Sequence, residues 1–320
     1  MEKLIGLDFG GSSIKYAVMN KDPEKAFLES GQVLNTFSDQ AEFLAAVFGI
    51  IEDLKSRHQV SGIAISYCGE LDHIQGIIHS PGTYAYNGGL NLKKILEDRF
   101  GLPVSVENDG NAAMLAEWKL GVLKGYENAA MIVLGTGIGG SFIIDGKLHT
   151  GKQGFSGMLS FCSADISKPL SPDHMAMSYA ANRYLLREYL IRSGCDECAD
   201  LTTEVPTIHG TPFTGKDFFE KVSSGDPVAV EVLHDYAANV VRLLLNLHCV
   251  LEIEAFAIGG GISAQDVLIE SLRKEMDHYF EGGPGNALRW PKPEIVQAGF
   301  GSAANLIGAA LWFRETYGCR

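Results

Sequence analysis

The sequence predicts an α/β protein of two lobes, and three observations carry that reading. The chain has 320 residues, more than one hydrophobic core usually organises. Short apolar strand signals alternate with stretches of helical periodicity from Ile5 to Tyr317. One local pattern also occurs twice, roughly a domain apart: Leu7-Asp8-Phe9-Gly10-Gly11-Ser12-Ser13-Ile14-Lys15 and Leu134-Gly135-Thr136-Gly137-Ile138-Gly139-Gly140-Ser141. Each reads as a strand, a glycine turn with hydroxyls, and a second strand. Two such turns would suit a nucleotide clamped between lobes, because glycine exposes backbone N–H groups with no side chain in the way.

In chain order, Ile5 to Asp8 and Lys15 to Met19 read as strands about the tight turn Gly10-Gly11-Ser12-Ser13. Asp39 to His58 carries apolar residues at helical spacing, and Gly62 to Ser66 is a short buried strand. Asn91 to Phe100 reads as a helix with Leu92, Ile95 and Leu96 inward. Val104 to Glu107 reads as a strand running into Asn108-Asp109, which can cap a helix Gly110 to Leu120. A second cycle follows: strand Ala130 to Leu134, a glycine-rich turn over 135–140, strand Ser141 to Ile144, and the hairpin signal Asp145-Gly146. From about residue 172 the pattern turns helical. Pro227 to Leu251 places Val228, Val232, Tyr236, Val240, Leu244 and Leu247 on one stripe, behind Asp226 as cap and Pro227 at the first helical position. Ala255 to Ile258 is a strand ending in Gly259-Gly260-Gly261, a helix Ala264 to Tyr279 follows, and a helix from about Ala303 to Tyr317 closes the chain.

Composition narrows the partners. With 39 acidic against 26 basic residues the formal charge is −13, which disfavours an extended nucleic-acid or anionic-membrane footprint and leaves small-molecule ligands. The N-terminus lacks a signal-peptide pattern, and no window of about 18 residues is apolar enough to span a bilayer. Six cysteines at scattered positions 68, 162, 195, 198, 249 and 319 fit a reduced compartment. The expectation is a cytoplasmic protein with no membrane partner.

Two motifs fail on context. Residues 135–140 spell G-x-G-x-x-G, but a dinucleotide fingerprint needs a helix directly after it and a strand-like segment stands there. Gly210 to Asp217 has P-loop spacing with Asp in place of the Ser or Thr that binds Mg²⁺, so it reads as a loop capping helix 217–223. A glycine turn alone is usually only a hairpin. The combination is more telling: Asp8 at a strand end can hold hydrated Mg²⁺, Gly10 to Ser13 and Thr136-Gly137 can offer N–H groups to phosphates, and Gly259 to Gly261 lets adenine and ribose lie close to backbone.

D-F-G-G-S-S-I-K at 8–15, E-N-D-G-N-A-A at 107–113, L-G-T-G-I-G-G at 134–140 and I-G-G-G-I-S at 258–263 together resemble the ROK family of sugar kinases and related repressors, in family order and over nearly the whole chain. The resemblance implies an actin-like ATPase fold of two RNase H-like lobes with a nucleotide between them and a sugar at the hinge. The corresponding division is 1–119 plus about 301–320 as a smaller N-terminal lobe and 120–300 as a larger C-terminal lobe. It also implies that Asp109 is the base accepting the sugar hydroxyl proton and that Asn108 holds the sugar, the plain alternative for both being helix capping. Gly69 and Thr83 fall on the sugar side. Asp8, Gly10, Gly11, Ser12, Lys15, Gly135, Thr136, Gly137, Gly259, Gly260 and Gly261 fall on the nucleotide side, with Asp8 holding Mg²⁺ through water.

The chain departs from the family pattern in Gly157-Met158-Leu159-Ser160-Phe161-Cys162. Met158 stands where the family has a sugar-binding Glu and Phe161 where it has a His. Neither side chain accepts a useful hydrogen bond from a sugar hydroxyl. The zinc cluster that usually follows is reduced to Cys162, and Cys195-Asp196-Glu197-Cys198 lacks a second ligand pair, so no structural zinc is expected. Pro81-Gly82-Thr83-Tyr84 replaces the family's Pro-Asn, leaving Tyr84 and Tyr86 either to stack on a sugar or to serve as ordinary loop aromatics. Gly69-Glu70-Leu71-Asp72 matches the turn before the sugar loop.

The expectation is therefore an ATP- and Mg²⁺-dependent kinase phosphorylating a hexose or hexose derivative at O6, with the Met158 and Phe161 replacements pointing to a β-glucoside or an N-acyl-hexosamine rather than free glucose. A sugar sensor without catalysis is the alternative. A repressor would need a winged helix ahead of the first strand. The resemblance also suggests a homodimer.

Overall fold

In the computed structural model, which describes residues 3–20, 27–152, 154–165, 167–194, 198–199, 206–208, 211–283, 285–286 and 289–318, the chain forms two units. Unit 1 is Met1–Gly125, Leu148–Ser156 and Phe300–Arg320, and unit 2 is Tyr126–Lys147 and Gly157–Gly299. Residues 148–156 thus sit with unit 1, apart from their neighbours in sequence and inside the span expected to be one unbroken lobe.

Unit 1 opens with β1 (Lys3–Phe9), β2 (Ser13–Asn20), β3 (Glu29–Leu34), α1 (Gln40–Arg57) and β4 (Gly62–Tyr67). The short pair β5 (Glu70–Asp72) and β6 (Ile77–Ser80) follows, then α2 (Leu92–Phe100), β7 (Val104–Asn108) and α3 (Asp109–Lys119). The sheet order is β3-β2-β1-β4-β7, with β2 antiparallel to both neighbours and β1, β4 and β7 parallel. All of Leu4 to Phe9 is buried, as expected of a strand covered on both faces. Phe43, Val47, Ile51 and Leu54 of α1 belong to the core on one face. Leu306, Ala309, Ala310 and Phe313 pack with Leu4, Ala17, Met19 and Ala64 on the other.

Unit 2 contains β8 (Ala129–Leu134), β9 (Ile138–Ile144), α4 (Met177–Ala180), α5 (Asn182–Arg192) and the two-residue strands β11 (Cys198–Ala199), β12 (Thr207–Ile208) and β13 (Thr211–Pro212), and β10 (Lys147–His149) starts in it and runs on into unit 1. It continues with α6 (Gly215–Ser223), α7 (Pro227–Leu251), β14 (Ala255–Gly259), α8 (Asp266–Gly282) and β15 (Glu294–Gln297). The last helix, α9 (Ala304–Tyr317), returns to unit 1. The sheet order is β10-β9-β8-β14-β15. Counted within each sheet, both run third, second, first, fourth, fifth strand, and in both the first and second strands are antiparallel while the first, fourth and fifth are parallel. The twinned glycine hairpins are therefore the first hairpins of two RNase H-like sheets.

The long helix α7 is built as its sequence reads. Asp226 accepts from the Val228 and Ala229 N–H groups with Pro227 at the first position, and Val232, Tyr236, Val240 and Leu244 are fully buried. The Tyr236 hydroxyl donates to the Ala180 carbonyl at 2.9 Å, which satisfies the one polar atom of an otherwise apolar stripe. The P-loop spacing at 210–217 is described only from Thr211 onward. Gly210 lies outside the described residues, while Thr214 and Asp217 form a capping box on α6.

Two kinds of difference from the sequence reading are instructive. Strand β9 begins at Ile138 because Gly139 and Gly140 pair with Val133 and Ile132, so the turn is only 135–137. The strands β3, β5, β6, β10 and β15 carry no clean apolar alternation; β3, for one, alternates only between half-buried and exposed, and it exists because β2 offers it a ladder. Among the described residues no helix is long and apolar enough to cross a membrane, and no group of three or more His, Cys, Asp or Glu could hold a metal ion. Cys68, Cys162 and Cys249 are free thiols; the remaining members of the Cys195–Cys198 pattern before Cys198 lie outside the described residues.

Candidate active site

In unit 1 the C-terminal ends of β1, β4 and β7 bring the acidic residues together. Asp8, 1% exposed, receives the Ser66 hydroxyl and the Asn305 amide, each 3.0 Å from Oδ1. Its Oδ2 lies 3.7 Å from Lys15 Nζ. One oxygen is thus fixed by two donors and the other is only loosely matched to a cation, an arrangement that orients the carboxylate in a nearly dry place. Ser66 and Asn305 carry no motif of their own. They are found only because β4 lies beside β1 and α9 covers the sheet.

Asp109 opens α3. Its Oδ1 accepts from the Gly110 N–H at 2.8 Å and from Asn108 Nδ2 at 3.0 Å. Burial pushes its carboxyl up to about 6, the negative charge of Asp8 adding to the rise and the two hydrogen bonds opposing it. Asn108 caps the helix, accepting from the Asn111 N–H, and its amide also donates to the Gly69 carbonyl at 3.0 Å. Capping and site placement are the same geometry here: the turn that needs an acceptor at the helix start also presents Asp109 at the end of a parallel strand. Glu107 lies behind this turn, 1% exposed, with Oε1 accepting from the Asn108 N–H at 2.8 Å and from Asn111 Nδ2 at 3.0 Å. Sequence reasoning quoted Glu107 within a motif and gave it no role.

The glycine turn is held from outside. The Tyr84 hydroxyl donates to the Gly10 carbonyl at 2.8 Å and Asn35 Nδ2 to the Gly11 carbonyl at 3.0 Å, while Gly11 and Ser12 remain exposed. Thr83 is exposed beside Gly11, and it offers its N–H and hydroxyl to the Cys68 thiol, which burial and the Asp109 charge push up to about 11. Cys68 is therefore a neutral thiol at pH 7. Of the two roles left open for Tyr84, the structure takes the one away from the sugar: it is fully buried and its ring packs with Phe9, Phe43 and Tyr67. Tyr86 joins the same cluster through Phe43 and Tyr84. An aromatic one residue past a glycine turn can be drawn inward when its hydroxyl finds a carbonyl, and Gly10 supplies one.

In unit 2 the loops after β8 and β14 meet. Gly260 has φ +99°, and a Cβ there would stand 2.1 Å from the Leu134 carbonyl oxygen, so only glycine lets the two loops approach this closely. The Gly135 N–H donates to the Gly137 carbonyl, and the Gly135 carbonyl accepts from the Asn182 N–H at 2.8 Å. Thr136, Gly260 and Gly261 are exposed on this rim. Ser263 ties the second loop by donating its hydroxyl to the Gly260 carbonyl at 2.9 Å. Gly215, at the start of α6, packs on Ile262 and Asn182. Asn182 is a rim residue that no motif announced, and Gly215 appeared only within the P-loop spacing of 210–217, because their link to the glycine loops is made in space.

Met158 and Phe161 flank the single 3₁₀ turn Leu159–Phe161, 40% and 58% exposed, with Leu159 between them buried. Ser160 fastens the turn to β9: its hydroxyl donates to the Ile138 carbonyl at 3.1 Å and accepts the Ile138 N–H at 2.8 Å. The approach is made possible by Gly157, φ +91°, whose N-terminal side lies so close to β9 that a Cβ would be 1.6 Å from the Gly140 carbonyl oxygen.

The twinned sheets, with a hydroxyl-bearing glycine turn in each, define the class: an actin-like ATPase fold. The chain belongs to the ROK family, whose model matches residues 4–316. It is 30% identical over 319 residues to the glucokinase of Streptomyces coelicolor, covering 97% of each chain. It is 27% identical over 280 residues to the beta-glucoside kinase of Listeria innocua, covering 87% of this chain and 88% of the relative. Among solved structures it is similar to a ROK family glucokinase from Streptomyces griseus in complex with glucose and AMPPNP, with TM-score 0.75 and 28% identity, covering 96% of this chain and 98% of that one. It is an ATP-dependent sugar kinase.

Proposed function

We propose that this kinase transfers the γ-phosphoryl group of ATP to O6 of a hexose derivative, with Asp109 as the base. The carrying observation is the Asp109 carboxyl: raised to about 6, it is ionised at pH 7 yet basic enough to take a proton from an attacking hydroxyl, the range a general base needs. In the reaction the O6 hydroxyl proton passes to Asp109 as the oxygen bonds to the γ-phosphorus and the bond to the bridging oxygen of ADP breaks. Asn108, anchored to Gly69, orients the sugar hydroxyls. The turn at Gly10, Gly11 and Ser12, with Lys15, and the rim of Gly135, Thr136, Gly137, Gly259, Gly260 and Gly261 bind the nucleotide by close backbone approach, by charge, and by N–H groups other than those of Gly10 and Gly135, which are spent inside the turns.

Magnesium fits this chain as an ion held through water. Asp8 offers a hard oxygen donor whose partner oxygen is already fixed by Ser66 and Asn305, and a single carboxylate with phosphate ligands is how Mg²⁺ is usually bound. The ion would neutralise charge on the phosphates.

The sugar in this reading is a β-glucoside or an N-acyl-hexosamine. Support comes from Met158 and Phe161, exposed apolar groups on a tethered turn where the family pattern has a Glu and a His; an aglycone or acyl group buries against such surface at about 25 cal/mol per Å². That a Listeria innocua relative is named a beta-glucoside kinase is consistent with it. The protein acts as a cytoplasmic homodimer in the same reading, checked by sedimentation.

The test is coupled ADP release with Mg-ATP against glucose, mannose, fructose, N-acetylglucosamine, N-acetylmannosamine, cellobiose and an alkyl β-glucoside, wild type beside Asp109→Asn. Turnover of one derivative, lost in the variant, supports the reading. Equal turnover of glucose and its glycosides removes the substrate assignment. Sugar-dependent thermal stabilisation without any turnover would make the protein a sensor.

A further inference from the structure

The turn that presents Asn108 and Asp109 is not held by its own helix alone. Glu107, directly before it in β7, is buried and carries a full carboxylate into the interior of unit 1. Its Oε1 accepts two donors, the Asn108 N–H and Asn111 Nδ2. Its Oε2 is buried as well, with no hydrogen-bond donor aligned on it, and what faces it is His73, whose Nδ1 lies 3.1 Å away. A buried carboxylate with one oxygen unmatched would be costly, so the imidazole opposite is the group that balances it.

His73 is itself placed from two sides. It follows β5 in the turn toward β6, and its ring lies against Trp312 of α9, with centroids 5.0 Å apart. Its outer edge opens to a cavity of about 210 Å³, which is also lined by Asp72, His79 and Lys152. The Glu107 carboxylate raises the affinity of His73 for its proton, consistent with a charge-assisted contact.

We infer that His73 is a positioning residue for phosphoryl transfer: through Glu107 it fixes the backbone of Asn108, and thereby the aim of Asp109, without touching either substrate. The inference rests on the assignment of Asp109 as base. It follows from the geometry, since Glu107 can hold the Asn108 N–H and Asn111 in one orientation only while its second oxygen is also engaged. Release of that oxygen lets the carboxylate rotate toward other donors and loosens the turn. Phosphoryl transfer depends on alignment more than on new bonds to protein, so a small loss of aim is read in turnover.

Two substitutions separate the polar contact with Glu107 from packing. His73→Phe keeps a ring against Trp312 and removes the nitrogen facing Oε2; His73→Asn loses the ring and keeps an amide nitrogen near the place of Nδ1. Each is measured in the full chain for kcat, for KM of the sugar and of ATP, and for melting temperature, with Asp109→Asn alongside. The expected result is a fall in kcat of about tenfold for His73→Phe, the scale of losing one close polar contact to a carboxylate, with KM for ATP unchanged and most of kcat restored in His73→Asn. If His73→Phe keeps the wild-type kcat, or if both variants lose kcat together with melting temperature, His73 serves packing only and the inference fails. If Asp109→Asn keeps wild-type turnover, the base assignment fails instead, whatever the His73 variants do.

Discussion

Replacing Asp109 by Asn should make the protein less active and more stable, and both effects can be worked from one carboxyl. Its pKa rises from the ordinary aspartate value of 3.8 to about 6, chiefly through burial. For a carboxyl, a folded-state value above the unfolded one means that the folded chain binds the proton more tightly, so stability falls as pH rises from about 4 to about 6 and the penalty is fully present above that window. The difference of about 2 pKa units is worth about 3 kcal/mol at most at pH 7. Asparagine removes the penalty and keeps an acceptor for the Gly110 N–H, so Asp109→Asn should melt several degrees higher than wild type at pH 7 and show no advantage at pH 4. In the wild type the same value makes the base about 90% ionised at pH 7 and about 10% ionised at pH 5, a fall in kcat/KM of about tenfold over that interval. The assays are a thermal melt of both proteins at pH 4 and 7, and coupled ADP release from pH 5 to 8 with an acid-tolerant coupling system. A profile flat down to pH 5, or a variant that melts below wild type at pH 7, would refute the argument that burial governs this group.

Three further outcomes follow from the geometry. Asp8→Asn should lower kcat by about a hundredfold or more, the scale of losing one preorganised charge at a phosphoryl site, with the circular dichroism spectrum retained because Ser66 and Asn305 can still bond an amide oxygen. Gly157→Ala places a methyl at 1.6 Å from the Gly140 carbonyl oxygen at φ +91° and should destabilise unit 2 by about 3 kcal/mol or more, strain and clash together, measured by urea unfolding. Tyr84→Phe removes the bond to the Gly10 carbonyl and should cost about 1 kcal/mol of stability while raising KM for ATP more than KM for the sugar; an effect on the sugar alone would return Tyr84 to the substrate side.

How far the sequence reaches is visible in particular residues. Asp226, Pro227 and the apolar stripe behind them define α7 locally, since cap, first-turn proline and periodicity are all properties of neighbouring positions. The buried run at β1 and the twinned glycine hairpins are legible for the same reason, whereas the common strand order of the two sheets is seen only in the fold. Asp8 and Asp109 could be singled out because each ends a strand at a recognisable turn. Tyr84 could not be placed, because whether an aromatic in a loop faces ligand or core depends on Phe9, Phe43 and Tyr67, which come from three other elements.

By itself, then, the sequence determined the long helices, the buried strands, the twinned glycine hairpins and the chemistry available at the strand ends, since these rest on periodicity, turn residues and side-chain type over spans of a few residues; the edge strands and the order of the sheets were set by pairing in space. Tertiary structure alone decided what those side chains are worth. Ser66 and Asn305 lie 58 and 297 positions from Asp8, and Glu107 meets His73 across an intervening turn and helix. The pKa of Asp109 comes from burial among atoms that no local window contains. Desolvation and hydrogen bonding act through distance in space, and only the folded chain supplies it.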